Sequence, residues 1–182
     1  MASSFGERMI GAAKLDVDIY EEVEADTSAM GQAMAVVVMS SVAAGIGSLR
    51  AGGFMGLVMT TVVALVGWFV WAGLTYVIGT KMLPEPQTKS DMGELLRTIG
   101  FSSSPGLLRV LGLVPFLGAL VGLLTSIWML VAFVVAVRQA LDYKSTGRAI
   151  AVCLIGFVVY LVIIMGMTMV MGAGAAIMGA GS

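Results

Sequence analysis

Residues 51–80 read AGGFMGLVMTTVVALVGWFVWAGLTYVIGT, a run that contains no charged side chain. As an α-helix this run is about 45 Å long, at about 1.5 Å per residue. The hydrocarbon core of a bilayer is about 30 Å thick and is crossed by roughly 20 apolar residues of helix. We therefore predict that this run crosses a membrane as a helix.

The same pattern recurs along the chain, because residues 27–49, 110–137 and 149–182 also lack charge. Apolar residues make up 59% of the 182 positions, and the mean hydropathy is +1.01. A soluble domain is far less apolar. The 24 Gly and 15 Met suit helices that pack closely in lipid. These features predict an all-α integral membrane protein with several spans and no soluble domain.

The charges between the apolar runs favour five spans over four. Residues 114–118 (VPFLG) interrupt one run, because proline removes a backbone donor and glycine favours a turn. Five spans with a cytosolic N-terminus put nine of the ten Lys and Arg inside, whereas four spans split them six to four. The positive-inside rule prefers five, with the C-terminus outside. The expected spans lie near 29–49, 54–79, 101–115, 118–139 and 149–171.

The third of these spans is the shortest. Ser104 and Pro105 are typical of a helix start, which leaves about ten residues before Pro115. A complete crossing needs a helix that begins near Thr98 to Phe101 and tolerates Pro105 as a kink. A half-span or a re-entrant hairpin is the alternative.

Two segments are expected to lie as amphipathic helices on the cytosolic face. Residues 1–28 form a tail with apolar positions at helical spacing, and we separate this tail from a membrane domain at 29–182. The tail has no positive region before an apolar core, which is unlike a signal peptide. Residues 92–99 carry a similar apolar stripe after a helix start at Ser90-Asp91.

Pairs of small residues four positions apart are candidates for close helix packing. We interpret them as contacts within one five-helix bundle, with contacts between copies as the alternative. The pairs are Gly52 with Gly56, Gly118 with Gly122, and Ser41 with Gly45.

Four basic residues are candidates for binding lipid headgroups at the inner face: Arg109, Arg138, Lys144 and Arg148. We expect Arg109 to extend to the inner headgroups at the level of the other three. A role in topology alone is the alternative.

The sequence offers no catalytic, cofactor-binding or metal-binding constellation. It contains no His, and Cys153 is its single cysteine, so the commonest metal ligands and relays are missing. Apart from Arg109, the expected hydrocarbon regions hold no ionisable side chain, which argues against pumps and coupled carriers. The cytosolic segments carry nine positive and eleven negative charges, so a nucleic-acid surface is not indicated. We therefore expect a protein that is not an enzyme.

Several short motifs together resemble the Yip domain family. They are 8–16 (RMIGAAKLD), 20–24 (YEEVE), 31–33 (GQA), 96–105 (LRTIGFSSSP), Trp128, 138–141 (RQAL) and Arg148-Ala149. Within 96–105, the residues Gly100, Phe101 and Pro105 match that family's Gly-aromatic-x-x-x-Pro element. The resemblance extends over nearly the whole chain and is closest to short prokaryotic members.

This resemblance implies five spans with a cytosolic N-terminus and a place in a prokaryotic plasma (inner) membrane. Eukaryotic relatives are associated with Rab-type GTPases, trafficking and membrane shaping. Rab binding is not carried over, because the tail lacks the extended region with an Asp-Leu-x-Gly-Pro-type element.

The function expected from these observations is that of a scaffold or accessory subunit in a larger membrane assembly. Its partners are membrane lipids and either other membrane-protein subunits or a second copy. One alternative is a transporter or channel for a neutral or apolar solute or lipid, with Trp68, Trp71 and Trp128 lining the path. Another is membrane shaping by the tail and residues 92–99.

Overall fold

The computed structural model describes the backbone of residues 2–114 and 116–180, and the side chains of 2–46, 53–114, 116–163 and 165–166. These residues form α-helices and no strand. The helices are α1 (Phe5–Ala13), α2 (Val17–Ala25), α3 (Met30–Val77), α4 (Met92–Phe101), α5 (Gly118–Ala140) and α6 (Thr146–Ala180). Two 3₁₀ helices, Thr27–Ala29 and Ser104–Leu113, and a π-helix, Ile78–Met82, connect or extend them.

The tail folds as a helical hairpin. Ser4 and Glu7 form a capping box at the start of α1, and Asp16 caps α2. Between the two helices Leu15 adopts a positive φ of 64°, which reverses the chain. The Tyr20 hydroxyl of α2 then donates to the Ala12 carbonyl of α1 over 3.1 Å. The expected amphipathic helices of the tail therefore turn their apolar sides toward protein, and Tyr20 and Val23 are fully buried.

Helix α3 consists of two arms that meet at Gly53. This residue has φ 56° and ψ −163°, a conformation essentially open only to glycine. Gly45 of the first arm faces Leu57 of the second arm so closely that a β-carbon on Gly45 would collide with that leucine. The arms are therefore antiparallel neighbours.

Helix α4 begins where Ser90-Asp91 predicted, with a capping box between Asp91 and Glu94. The structure does not leave this helix on a surface, because every residue of 95–101 is buried. Gly100 packs against the backbone of Ala33 in the first arm of α3. Helix α2 covers the polar side of α4, and α4 is therefore buried although its sequence is amphipathic.

The 3₁₀ helix Ser104–Leu113 follows α4 after a turn at Ser102 and Ser103. It starts with Pro105, and Gly106 lies between Ser40 of α3 and Met129 of α5. After a turn that gives Phe116 a positive φ of 72°, α5 runs back beside it, with Gly118 against Gly112. A second turn, in which the Tyr143 hydroxyl donates to the Gly79 and Leu83 carbonyls, leads into α6.

Four helical segments of the described chain are long and apolar enough to cross a membrane: Thr27–Ile46, Gly53–Met82, Gly118–Ala140 and Thr146–Ile163. They correspond to four of the five predicted spans. The predicted span at 101–115 is not among them, because the chain there turns after Phe101 and tightens into the 3₁₀ helix.

The two ends of the bundle differ in packing. The capped end, which we define as the end that carries α1, α2 and the α5–α6 turn, contains most of the buried residues. At the opposite, open end, no residue of 53–67, 107–114, 116–124 or 157–163 is buried. Large apolar side chains exposed there include Phe54, Met55, Met59, Val63, Leu111, Phe116, Leu123 and Phe157. Lipid is the environment that suits such a surface.

The replacement Gly53→Ala tests the break between the arms of α3. A β-carbon at this φ and ψ costs about 1–3 kcal/mol, so we expect the midpoint of thermal unfolding in detergent to fall by several degrees. Gly56→Ala is the matched control, because a β-carbon at Gly56 meets nothing within 4 Å. Equal midpoints for the two variants would contradict this description of the break.

Candidate functional site

The capped end is organised around the buried guanidinium of Arg8, which is 3% exposed. Its Nε and Nη2 donate to Glu22 Oε1 over 3.0 and 2.8 Å, and Nη2 also donates to Asp26 Oδ2 over 2.7 Å. Its Nη1 donates to Gln32 Oε1 over 3.0 Å. One side chain of α1 thus joins α2 and the start of α3, as the fork geometry of arginine allows.

Both carboxylates of this network are held in the charged form. Hydrogen bonds from Ser3 and then Arg8 lower the pKa of Glu22. Hydrogen bonds from Ser28 and then Arg8 lower the pKa of Asp26 to about 2. The network therefore stays ionised at neutral pH.

Arg97 is a second buried cation, 5% exposed, and it binds carbonyl oxygens rather than a carboxylate. Its Nε donates to the Val23 and Glu24 carbonyls over 3.0 and 3.1 Å, and its Nη2 also donates to the Glu24 carbonyl. These carbonyls lie in the last turn of α2, where helix carbonyls lack partners and carry partial negative charge. Arg97 therefore ties α4 to the end of α2.

Glu24 lies next to this contact and is half-buried. Burial raises its pKa to about 8, and the negative charges of Asp142, Glu94 and Glu21 add to the effect while Arg97 opposes it. The four acids come from α2, α4 and the α5–α6 turn. This carboxyl is therefore largely protonated near neutral pH, unlike Glu22 and Asp26.

Three of the four candidates for headgroup binding meet at the α5–α6 turn. Arg138 Nε donates to the Tyr143 carbonyl over 3.2 Å. Arg148 Nη1 donates to the Pro84 carbonyl over 2.7 Å, and its Nε lies 3.4 Å from Glu85 Oε1. These two arginines hold the turn in place, and Lys144 is the exposed cation of the three.

The fourth candidate, Arg109, contacts α5 rather than the α5–α6 turn. Its Nη2 donates to Ser126 Oγ over 3.1 Å. Ser126 precedes Arg138 by twelve residues of α5, a separation of about 18 Å along the helix. The 3₁₀ helix places Arg109 beside the middle of α5 instead.

The residues that match the Gly-aromatic-x-x-x-Pro element lie at the junction of α4 and the 3₁₀ helix. Gly100 allows close contact with α3, and Phe101 is fully buried with its ring 6.4 Å from that of Phe5, edge to face. Pro105 is buried in the first turn of the 3₁₀ helix. The element therefore lies where α4 and the 3₁₀ helix contact both the tail and α3.

The small-residue pairs differ from one another in their surroundings. Ser41 and Gly45 are buried between the arms of α3, and Gly118 contacts Gly112. A β-carbon added at Gly56 or Gly122 would meet no atom within 4 Å, so these two glycines form no close helix contact with the described part of the chain. Gly52 lies outside the residues whose surroundings are described.

The three tryptophans do not line a common path. Trp68 Nε1 donates to the Leu96 carbonyl over 2.9 Å, and Trp71 packs against Phe133 and Tyr160 with ring centroids 5.6 Å away in each case. Trp128 Nε1 donates to the Ala13 carbonyl of the tail over 2.7 Å. Each ring is engaged in a different contact of the bundle.

Among the residues that the structure describes, no group of three or more His, Cys, Asp and Glu side chains could hold a metal ion. The sequence pattern did not single out Arg8, Arg97 or Glu24. Two signals were available: Arg8 is a basic residue among the seven acids of the tail, and Arg97 is a basic residue on a helix predicted to be amphipathic.

A family model, that of the Yip1 domain, matches residues 18–167. The chain belongs to the Yip1 domain family. No curated protein and no solved structure matches it. The Yip1 domain match begins within α2 and includes Arg97, Arg109 and the α5–α6 turn, whereas α1 and Arg8 precede it. The membership and the four apolar helices establish a multi-pass integral membrane protein.

The replacement Arg8→Lys tests the network at the capped end. Lysine cannot reach two carboxylates and Gln32 together, so we expect a loss of about 2 kcal/mol and a fall of about 4–8 °C in the unfolding midpoint in detergent. Lys14→Gln, which removes an exposed charge from the same hairpin, should leave the midpoint unchanged. A midpoint for Arg8→Lys within about 1 °C of the parent would contradict the role of the network.

The replacement Glu24→Gln tests the buried carboxyl. Its pKa rises on folding from 4.5 to about 8, so its favourable contribution to stability is complete below pH 4.5 and is lost as the pH rises to about 8. The variant, which stays neutral, should unfold at the parent's temperature at pH 4.5 and several degrees above it at pH 9. Asp18→Asn, an exposed acid of the same helix, should show no such pH-dependent gain.

Proposed function

We propose that this Yip1 domain protein is a non-catalytic scaffold or accessory subunit of a larger membrane assembly. The observation that carries the proposal is the folded capped end. Arg8 and Arg97 hold the tail on the bundle, and the exposed acids Asp16 and Asp18 form a polar surface with Glu21, whose carboxylate accepts from Gln139 Nε2 of α5 over 3.1 Å. A preorganised surface of this kind costs little ordering entropy when a partner binds.

The proposal includes five membrane passes with the tail in the cytosol. The third pass in this proposal is α4 followed by the 3₁₀ helix, which have lengths of about 15 and 20 Å. All eleven acids and eight of the ten basic residues, all except Arg50 and Arg109, then lie in segments at the capped end. The positive-inside rule supports a cytosolic capped end, and the source we propose is a prokaryotic plasma membrane.

Membrane shaping is a second candidate that one observation favours. The capped end contains α1 and α2 in addition to the ends of the spans, whereas the open end contains loosely packed helices. A bundle that is wider in one leaflet favours curved membranes. The exposed Ile10 and Val17 of the tail give it an apolar contact with that leaflet.

The shaping candidate is tested by reconstitution into lipid vesicles, because the binding of interfacial amphipathic helices is sensitive to membrane curvature. The double variant Ile10→Ser and Val17→Ser keeps the buried side of the hairpin and should lose tubulation if the tail acts as a wedge. Equal vesicle shapes with parent protein, variant and no protein would exclude this function.

Co-purification from native membranes tests the scaffold function. We expect the tagged full chain to bring down at least one other membrane protein in near-stoichiometric amount. The double variant Asp18→Asn and Glu21→Gln should recover at least threefold less of a partner that binds the acidic surface, whereas Lys89→Gln, an exposed charge of the loop before α4, should recover it fully. A chain that purifies alone from the parent strain would contradict the proposal.

A further inference from the structure

Acidic side chains from three parts of the fold meet at the end of α2. Glu24 lies in the last turn of this helix and is half-buried. The negative charges of three other acids act on its carboxyl. They are Glu21 of α2, Glu94 of α4 and Asp142 of the α5–α6 turn. The cluster therefore lies at the contact between the tail and the bundle.

No cation of the described chain forms an ion pair with the Glu24 carboxyl. The positive charge of Arg97 acts on it, but the Arg97 guanidinium donates to backbone carbonyls at the end of α2. The Arg8 guanidinium of α1 is bound to two other carboxylates, and Arg138 of α5 donates to a carbonyl of the α5–α6 turn. The charges around Glu24 are therefore mainly negative.

The same turn of α2 attaches the tail to the bundle. The Arg97 guanidinium donates to the carbonyls of Val23 and Glu24. Gln139 Nε2 of α5 donates to Glu21 Oε1 over 3.1 Å, and the Val23 side chain is fully buried. Movement of this turn away from α4 and the α5–α6 turn would separate the Glu24 carboxyl from the acids of those elements.

The Glu24 carboxyl changes its charge near neutral pH. Burial, and then the neighbouring negative charges, raise the pKa of Glu24 from 4.5 to about 8 in the docked tail. A carboxyl in water has its ordinary pKa, so a released tail gives up the proton that the docked tail keeps. Docking is therefore most favourable below pH 4.5 and weakens as the pH rises to about 8. The chain has no His, the side chain that usually titrates in this range.

We propose that the end of α2 is a pH-sensitive switch for the tail. With Glu24 protonated, the tail stays docked on α4 and the α5–α6 turn, whereas with Glu24 ionised, repulsion from Glu94 and Asp142 releases it. Release takes the carbonyl acceptors away from Arg97 and uncovers the side of α4 that α2 covers. A rise in pH on the side of the membrane that holds the tail therefore favours the released tail.

The test measures how often α2 opens in the full-length chain in detergent. Val23→Cys places a thiol at a fully buried position of α2, and iodoacetamide modifies this thiol only when that part of the tail has opened. Val17→Cys, at an exposed position of the same helix, corrects for the effect of pH on the thiol reaction. The native Cys153, buried in α6, reports opening elsewhere in the bundle.

The modification rate of Val23→Cys relative to Val17→Cys should rise about tenfold between about pH 6 and pH 8. A fully shielded carboxyl would give a larger rise, but Glu24 is only half-buried. Addition of Glu24→Gln, which cannot ionise, should keep the ratio constant to within about twofold. Addition of Asp18→Asn, an exposed acid of the same helix, should leave the rise in place.

The variant Asp142→Asn tests the part of the neighbouring charge. Asn accepts the positive φ of 53° at this position, so the backbone of the turn is kept. Loss of this negative charge lowers the pKa of Glu24, and the ratio of rates should therefore rise less over the same pH range.

A ratio of rates that stays constant with pH would overturn the switch. So would a pH-dependent rise that persists after Glu24→Gln. Modification of Cys153 that rises in parallel with that of Val23→Cys would also overturn it, because the whole bundle would then be opening. These results leave the scaffold function untouched, since co-purification tests that function separately.

Discussion

The contact between the Arg97 guanidinium and the last carbonyls of α2 makes the rest of the capped end possible. A buried arginine without partners is costly, and α4 needs an acceptor on the side that faces away from α3 and α5. The carbonyl end of α2 provides two acceptors together with the negative end of a helix dipole. With Arg97 satisfied in this way, seven consecutive residues of α4 can be buried. The tail is therefore part of the bundle rather than an appendage to it.

The other buried charged groups of the capped end are also paired with hydrogen-bond partners. At the capped end, every buried side-chain polar atom that the structure describes has a hydrogen-bond partner. Ionised carboxylates surround Arg8, a protonated Glu24 lies beside Arg97, and backbone carbonyls accept from Arg138 and Arg148. Toward the open end the side chains are apolar and exposed, and Arg109 is the exception.

The apolar runs were sufficient to predict four spans, three of them to within three residues at each end, because the hydrocarbon thickness and the absence of charge leave few other solutions. The third segment could not be predicted in detail. Pro105 and the serines before it permit several backbone paths, and the 3₁₀ path depends on Gly106 fitting between Ser40 and Met129. The burial of α4 could not be predicted from the sequence either. A single apolar stripe is found both in helices that lie on a membrane surface and in helices that are covered by another helix. The contact between Arg109 and Ser126 could not be predicted either, because Ser126 follows a turn whose geometry the sequence does not define.

The hydrogen bond from Trp128 to Ala13 joins residues that are 115 positions apart, and the bonds of Arg97 join α4 to a segment 73 positions earlier. The tail is synthesised before α5, so the part of its binding surface that α5 provides does not exist until α5 has been made. During synthesis the acidic hairpin must therefore stay undocked while the spans enter the bilayer one after another. Long-range contacts of this kind form late, because loop closure must come before they can contribute. Docking of the tail is thus a late step, which can occur only when the membrane helices that it contacts have reached their correct order.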